Sequence, residues 1–195
     1  MLHNNPSSHL APLKKLLFII GLSCLFLAAS CDPDDEMPPT PEPTLPELTT
    51  EGLNTFGCYI NGELWVAEIP PLSEITGITK LEAFLNPNSR FFGIRARKTT
   101  QDDSTNQRLS VLIENIMGIG VYENKFSPEI YWDVNSSCQY YELDSNYIHN
   151  INVVKFDTIT KISSGVFSYR LINRNCNDTL KITEGRFDLQ FAIVE

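Results

Sequence analysis

The stretch RFDLQFAIV, residues 186–194, decides the fold class because its apolar and polar residues alternate. The apolar positions on one side of the alternation are Phe187, Leu189, Phe191 and Ile193. Successive side chains of an extended strand point to opposite faces, so a period of two predicts a β-strand with one buried face. An amphipathic helix would instead repeat its apolar residues every three or four positions.

The same period recurs upstream. Residues 109–113 and 151–156 add short runs that are rich in β-branched and other apolar residues. Further inward-facing positions are expected at Phe92, Ile94, Ala96, Phe167, Tyr169 and Leu171. Short strands at this spacing predict an all-β fold, a single antiparallel β-sandwich or barrel of about ten short strands. The pattern alone leaves open which of the two it is.

The turn residues agree with this fold class. Asn61-Gly62 lies between CYI and ELWV, which is the strongest short signal for a two-residue hairpin turn. A polar segment at 173–178 is predicted to link two further strands. Glu184-Gly185 is predicted to link the final pair of strands.

The first thirty residues are predicted to be a signal peptide. Lys14 and Lys15 precede a fifteen-residue apolar run at 16–30, which ends in small residues. A basic start, a short apolar run and small residues at the end are typical of a secretory signal. The run is shorter than the roughly 20 residues that a membrane-spanning helix needs.

Cys31 follows these small residues in the sequence LAASC, which resembles the lipobox of bacterial lipoproteins. The resemblance implies that the Cys31 thiol carries a lipid and anchors the mature chain to a membrane; the alternative is plain secretion, with Cys31 in a disulfide. Four acids follow within residues 32–36, and this resembles the surface-export signal of Bacteroidota lipoproteins. We therefore expect an outer-membrane lipoprotein exposed at the cell surface, with a periplasm-facing anchor as the alternative.

Residues 31–51 are predicted to be an acidic, Pro-rich tether, and residues 52–195 the β-domain. Six of the twelve prolines lie between Pro33 and Pro46, and such segments act as extended spacers. Residues 32–51 hold seven acids and no base, so most of the net charge of −9 belongs to the tether. The domain carries no basic stripe, which argues against nucleic acid as a partner.

Two segments at the ends of the domain resemble a known family. They are FGCYINGELW, residues 56–65, and TEGRFD, residues 183–188. Both are similar to segments of a family of small uncharacterised Bacteroidota lipoproteins, which begin with an aromatic residue, Asn-Gly and Trp or Phe. The resemblance implies an all-β domain with an outer-membrane address, and it implies no activity.

The three domain cysteines are predicted to form one disulfide. Cys58, Cys138 and Cys176 would lie in an oxidising compartment, where a bridge is stable. We expect Cys58 to pair with Cys138, with Cys176 as the alternative partner.

Catalytic and metal-binding patterns are missing from the sequence. His149 is the single histidine of the predicted domain, and it is expected to be a loop or surface residue. The sequence has no C-x-x-C motif or Cys/His cluster for a metal. Asp188 is expected to form an ion pair with Arg186 or hydrogen bonds to a neighbouring strand, because both share a polar face. We therefore predict a protein that is not an enzyme and has no cofactor.

The remaining candidates for ligand contact are aromatic. Tyr131 and Trp132 follow Pro128 and are predicted to be an exposed pair on which a sugar could stack. The sequence thus predicts a surface-tethered module with a binding or structural role, whose partner is an envelope protein or a glycan. The alternatives are a carbohydrate-binding accessory module and a closed barrel that holds an apolar ligand.

Overall fold

The computed structural model describes residues 43–71, 77–102, 104–123 and 131–195. The predicted signal peptide, the lipidation site Cys31 and the first part of the tether lie outside these residues. Within the described ranges, helices long and apolar enough to cross a membrane are not found.

The described residues form twelve β-strands, which confirms the predicted all-β class. The strands are β1 (Thr55–Ile60), β2 (Glu63–Val66), β3 (Leu81–Asn86), β4 (Phe91–Thr99), β5 (Asn106–Ile113), β6 (Gly120–Glu123), β7 (Tyr131–Asp133), β8 (Tyr140–Leu143), β9 (Asn150–Asp157), β10 (Ile162–Asn173), β11 (Asp178–Gln190) and β12 (Ala192–Ile193).

The strands form two sheets that make a β-sandwich. One sheet has the order β6-β9-β10-β11-β1-β2, and the other has the order β12-β3-β4-β5-β7-β8. All pairs are antiparallel except β12 with β3. The sheets are linked where β8 pairs with β10 at Leu143 and Leu171, and by a parallel bridge between Glu68 and Lys98.

Aromatic side chains fill the space between the sheets. The rings in contact across this core are Phe56, Phe92, Phe156, Phe167, Phe187 and Phe191. The inward positions predicted on β4 and β10 are buried. A core packed in this way matches a sandwich better than a barrel that encloses a ligand cavity.

The Asn61-Gly62 hairpin is confirmed. Ile60 and Glu63 are paired on either side of the turn. Asn61 and Gly62 have φ of 52° and 89°, the two positive values that a type I′ turn requires.

Two details of the C-terminal strand differ from the prediction. Glu184-Gly185 is a bulge within the continuous strand β11, not a turn, and Glu184 has a φ of 52°. Gly185 is needed there because a Cβ atom would lie 2.5 Å from the Phe167 ring. Ile193 is exposed because the chain leaves β11 after Gln190 and joins β3 of the other sheet.

Residues 43–53, here named the strap, lie on the outer face of β11 and β1. They belong to the same compact unit as the sheets, which begins at Pro43. Arg186 Nη1 donates to the Pro46 carbonyl oxygen at 3.2 Å. Pro46 packs over Gly57, where a Cβ atom would lie 2.6 Å from the Pro46 Cδ. The last part of the predicted tether is therefore docked on the domain.

Candidate ligand-binding groove

The candidate site forms where strand β10 changes neighbours. Along one edge of β10, β9 pairs with Ile162–Ser168 and β8 pairs with Leu171 and Ile172. Between these two stretches, none of the described strands pairs with Arg170 on that edge. Its backbone N–H donates to His149 Nδ1 at 3.4 Å, and its carbonyl oxygen accepts from the Asp144 N–H at 2.9 Å. The segment 144–149, which joins β8 to β9, therefore completes the sheet and forms one wall of a groove.

Asp144 and His149 fix the shape of this wall. The Asp144 carbonyl oxygen accepts from Tyr147 N at 3.0 Å and lies 2.8 Å from His149 Nε2. Because Nδ1 accepts from Arg170, Nε2 carries the proton and donates. The Asp144 carboxylate accepts from Asn146 and contacts Arg170 Nε at 3.4 Å. Both titratable side chains are buried and serve to hold the wall in place.

Tyr147 and Ile148 stand at the tip of the wall. The guanidinium carbon of Arg170 lies 4.0 Å from the centre of the Tyr147 ring. This cation–π contact fixes the ring, and the tyrosine is still 48% exposed. Ile148 beside it is 80% exposed. The wall therefore presents an aromatic ring and an apolar side chain to solvent.

Arg170 and Lys181 lie opposite each other on the floor of the groove. They are direct cross-strand partners on β10 and β11. Cβ atoms in such a pair are about 5 Å apart, and like charges there destabilise a sheet. Lys181 is held by the hairpin turn, since its N–H donates to Asn61 Oδ1 at 2.8 Å and its carbonyl accepts from Asn61 N at 2.9 Å. Within the described ranges, Arg170 is paired with Asp144, and Lys181 has no ion pair.

The groove is open and has a volume of about 580 Å³. The hydroxyl-bearing residues Ser168, Thr179 and Thr183 line it together with Leu180 and Ile182. An aromatic ring, two cations and several hydroxyl groups thus surround a space large enough for a small ligand. We call this space the Tyr147 groove.

A second open groove of about 610 Å³ lies mainly on the other sheet and is lined by Thr79, residues 81–84, Arg95, Gln190, Ala192 and Val194. Its charged groups already satisfy one another, because Arg95 Nη1 lies 3.8 Å from Glu82 Oε2. Its ring, Phe84, covers Gly93, whose Cβ atom would lie 2.5 Å from that ring. The ion pair of Arg95 with Glu82 and the packing of Phe84 on Gly93 therefore explain these side chains as parts of the fold. Lys181 has no ion pair among the described residues.

The predicted disulfide pairing is corrected. Cys138 is bonded to Cys176, and Cys58 is free and buried. Because β8 pairs with the end of β10, the turn before β8 and the turn after β10 are neighbours. Cys58 instead faces the core from β1, where burial raises its pKa to about 12 despite Lys98 nearby.

The prediction that Tyr131 and Trp132 form an exposed pair is wrong for Tyr131. This residue is 6% exposed, because β7 directs it against Tyr141 in the core. Burial, followed by the charge of Asp133, raises the pKa of Tyr131 well above its usual value. Trp132 pairs through its backbone with Arg108 and Tyr140, and its side chain lies outside the described part of the structure.

His149 and Asp188 also differ from expectation. His149 is expected at the surface, but it is buried between the wall and strand β10: Nε2 bonds to the Asp144 carbonyl oxygen of the wall, and Nδ1 accepts from the Arg170 N–H of β10. Asp188 is fully buried, and among the described residues its side chain pairs neither with Arg186 nor with a neighbouring strand. It accepts from Thr49 Oγ1 at 2.6 Å and from the backbone N–H groups of Glu51, Gly52 and Leu53 at 3.1, 2.8 and 3.2 Å. The strap is its partner.

The groove residues are not predicted from the sequence. Arg170 and Lys181 look like ordinary polar positions of two alternating strands, and their pairing depends on the register between those strands. One signal was present: Tyr147-Ile148 places two large side chains inside a polar segment, SNYIHN, where a loop has little need of them. Metal-binding groups of three or more His, Cys, Asp or Glu side chains were not found in the described ranges.

Comparison of the chain with protein-family models, with curated proteins and with solved structures gave no match.

Proposed function

We propose that this chain is a lipid-anchored module of the outer membrane, exposed at the cell surface, which binds its ligand in the Tyr147 groove. The lipobox-like sequence at Cys31 and the acidic segment after it support the address. The observation that most supports binding is the pair of Arg170 and Lys181, two like charges that lie side by side near an exposed aromatic ring. The ion pair of Arg170 with Asp144 and its contact with Tyr147 hold the wall, but the placement of Lys181 opposite Arg170 is unfavourable for the fold.

The proposed role is binding, without catalysis. Asp144 and His149 flank the groove, and both are buried and engaged in contacts with the wall and with Arg170. A general base must reach its substrate within hydrogen-bonding distance, and neither group is directed at the open space.

Carbohydrate binding is the second candidate function. It is favoured by Tyr147, whose exposed ring stands beside a floor that carries hydroxyl groups. Aromatic side chains combine a large contact area with a fixed orientation, which suits stacking against a sugar ring. The apolar-ligand alternative has less support, because the aromatic core occupies the interior of the domain.

Two measurements test the proposal. The intact mass of the native protein extracted in detergent should correspond to a chain that starts at Cys31 and carries added acyl mass. An unmodified chain would contradict the anchor.

The same full-length protein should then be applied to a broad glycan and envelope-fraction array, together with Tyr147→Ala and the control Tyr140→Ala. Tyr140 is 49% exposed and lies outside the groove, so it matches Tyr147 in residue type and exposure. We expect the native protein and Tyr140→Ala to bind the same component of the array. We expect Tyr147→Ala to lose binding to that component. Equal retention by all three proteins would reject the groove as the binding site.

A further inference from the structure

We infer that the ligand of the Tyr147 groove is an acidic oligosaccharide: one sugar ring stacks on Tyr147, and a carboxylate or sulfate group of the same oligosaccharide binds between Arg170 and Lys181. This inference rests on the proposed function and adds the chemical class of the ligand.

The charge of the ligand follows from the two cations. Arg170 contacts Asp144 through Nε, and a guanidinium carries further N–H donors on its two Nη atoms. Lys181 is exposed and directly opposite. A single anionic group bound between them would relieve their repulsion and form charge-assisted hydrogen bonds to both. Asp144 is the acidic residue that faces Arg170, and its buried side chain balances one of the two positive charges.

The saccharide character follows from the ring and the hydroxyl groups. One face of Tyr147 is occupied by Arg170, and the ring remains about half exposed. A sugar ring presents a flat face of C–H groups that can pack on such a surface. Ser168, Thr179 and Thr183 line the same floor and can exchange hydrogen bonds with sugar hydroxyls.

An extended acidic peptide fits this site less well. Peptides that bind β-domains commonly add a strand to a free sheet edge. At the groove floor, β10 is paired with β11, and its other edge is closed by Asp144 and His149. Along β10 the floor therefore offers side chains and no free strand edge.

The test is a calorimetric titration of the full-length protein in detergent with matched probes. The probes are tetragalacturonate and its carboxyl-reduced counterpart, a sulfated chondroitin tetrasaccharide and its desulfated, carboxyl-reduced counterpart, and a tetraglutamate peptide. We expect at least one acidic saccharide to bind tenfold or more tightly than its neutral counterpart and than the peptide. Its affinity should fall as salt rises from 50 to 300 mM, because exposed charges are screened.

Variants separate the two parts of the inference. Lys181→Gln should lose tenfold or more in affinity for the acidic saccharide, whereas Lys80→Gln should bind as the native protein does. Lys80 is also exposed and lies outside the groove. Tyr147→Ala should lose affinity for the acidic saccharide as well.

The possible results separate failure of the acidic-saccharide inference from failure of the Tyr147 groove as the binding site. Equal affinity for acidic and neutral saccharides, lost in Tyr147→Ala and kept in Lys181→Gln, would overturn the acidic ligand and leave groove binding standing. Tighter binding of tetraglutamate would overturn the saccharide. Binding of none of the probes would overturn this inference, while the proposed function would still be decided by the array.

Discussion

The guanidinium of Arg170 lies 4.0 Å from the ring centre of Tyr147, and this contact joins the floor of the groove to its wall. The ring is thereby held beside a second cation, Lys181, which is the cross-strand partner of Arg170. The fold creates this arrangement at the one stretch of β10 where β9 has ended and β8 has not begun. The segment 144–149 then takes the place of a strand and carries Tyr147 out over the sheet.

Lys181→Gln is expected to stabilise the ligand-free protein by roughly 0.2–1 kcal/mol, because it removes a like charge opposite Arg170. The midpoint of urea unfolding measures the effect, with Lys80→Gln as the control that should change little. A lower midpoint for Lys181→Gln would show that Lys181 serves the fold, and the functional argument from this pair would be lost.

Asp188→Asn is expected to destabilise the domain by about 2–4 kcal/mol. The buried carboxylate accepts four hydrogen bonds from the strap, and an amide nitrogen in its place would face donors. Urea unfolding measures the loss, and faster proteolysis within 43–53 should accompany it. Asp157→Asn is the matched control, since Asp157 is only partly buried and its carboxylate accepts from the N–H groups of Ile159 and Thr160 in its own turn. Equal effects of both substitutions would refute the role of the strap.

Stability should fall in acid through Asp188. Burial alone would raise the pKa of this carboxyl, but the hydrogen bonds from Thr49, Gly52, Leu53 and Glu51 outweigh it and leave the pKa below its ordinary value. A group whose pKa is lowered by folding stabilises the protein above the unfolded value, about 3.9, and this stabilisation is lost as the pH falls through the folded value. The stability gap between the native protein and Asp188→Asn should therefore narrow below about pH 4. A gap that is constant from pH 7 to pH 2.5 would contradict this.

Loss of the Cys138–Cys176 disulfide should destabilise the domain by about 3–4 kcal/mol, because the bridge closes a loop of sequence separation 38. Cys176→Ser tests this by urea unfolding, and added reductant should have no further effect on that variant.

Alkylation of the folded native protein should leave Cys58 unmodified, since it is buried and burial raises its pKa to about 12. Rapid labelling of Cys58 without denaturant would contradict the observed core.

The strand faces could be predicted from sequence because alternation is a local property. Residues 166–172 and the hairpin at Asn61-Gly62 were predicted from neighbouring residues alone, and both are confirmed. The bulge at Glu184-Gly185 was mistaken for a turn, because a glycine after a polar residue suits either. Its true role depends on Phe167, which is distant in sequence and packs against the glycine.

The site itself depends on which strands are neighbours. The pairing of Cys138 with Cys176 requires β8 to lie beside β10, and the burial of Tyr131 requires β7 to lie between β5 and β8. For Asp188 the sequence predicts an ion pair with Arg186 or hydrogen bonds to a neighbouring strand, but its partner is the strap, 135–139 residues away in sequence. Local patterns carry no information about such distant contacts.

The most direct test of the central claim is a crystal structure of the full-length protein with the saccharide that the array retains best. We predict that the sugar ring packs on the exposed face of Tyr147, with its acidic group about 3 Å from a side-chain nitrogen of Arg170 or Lys181. A saccharide bound at another place, such as the groove beside Phe84 and Arg95, with the Tyr147 groove empty, would contradict the account.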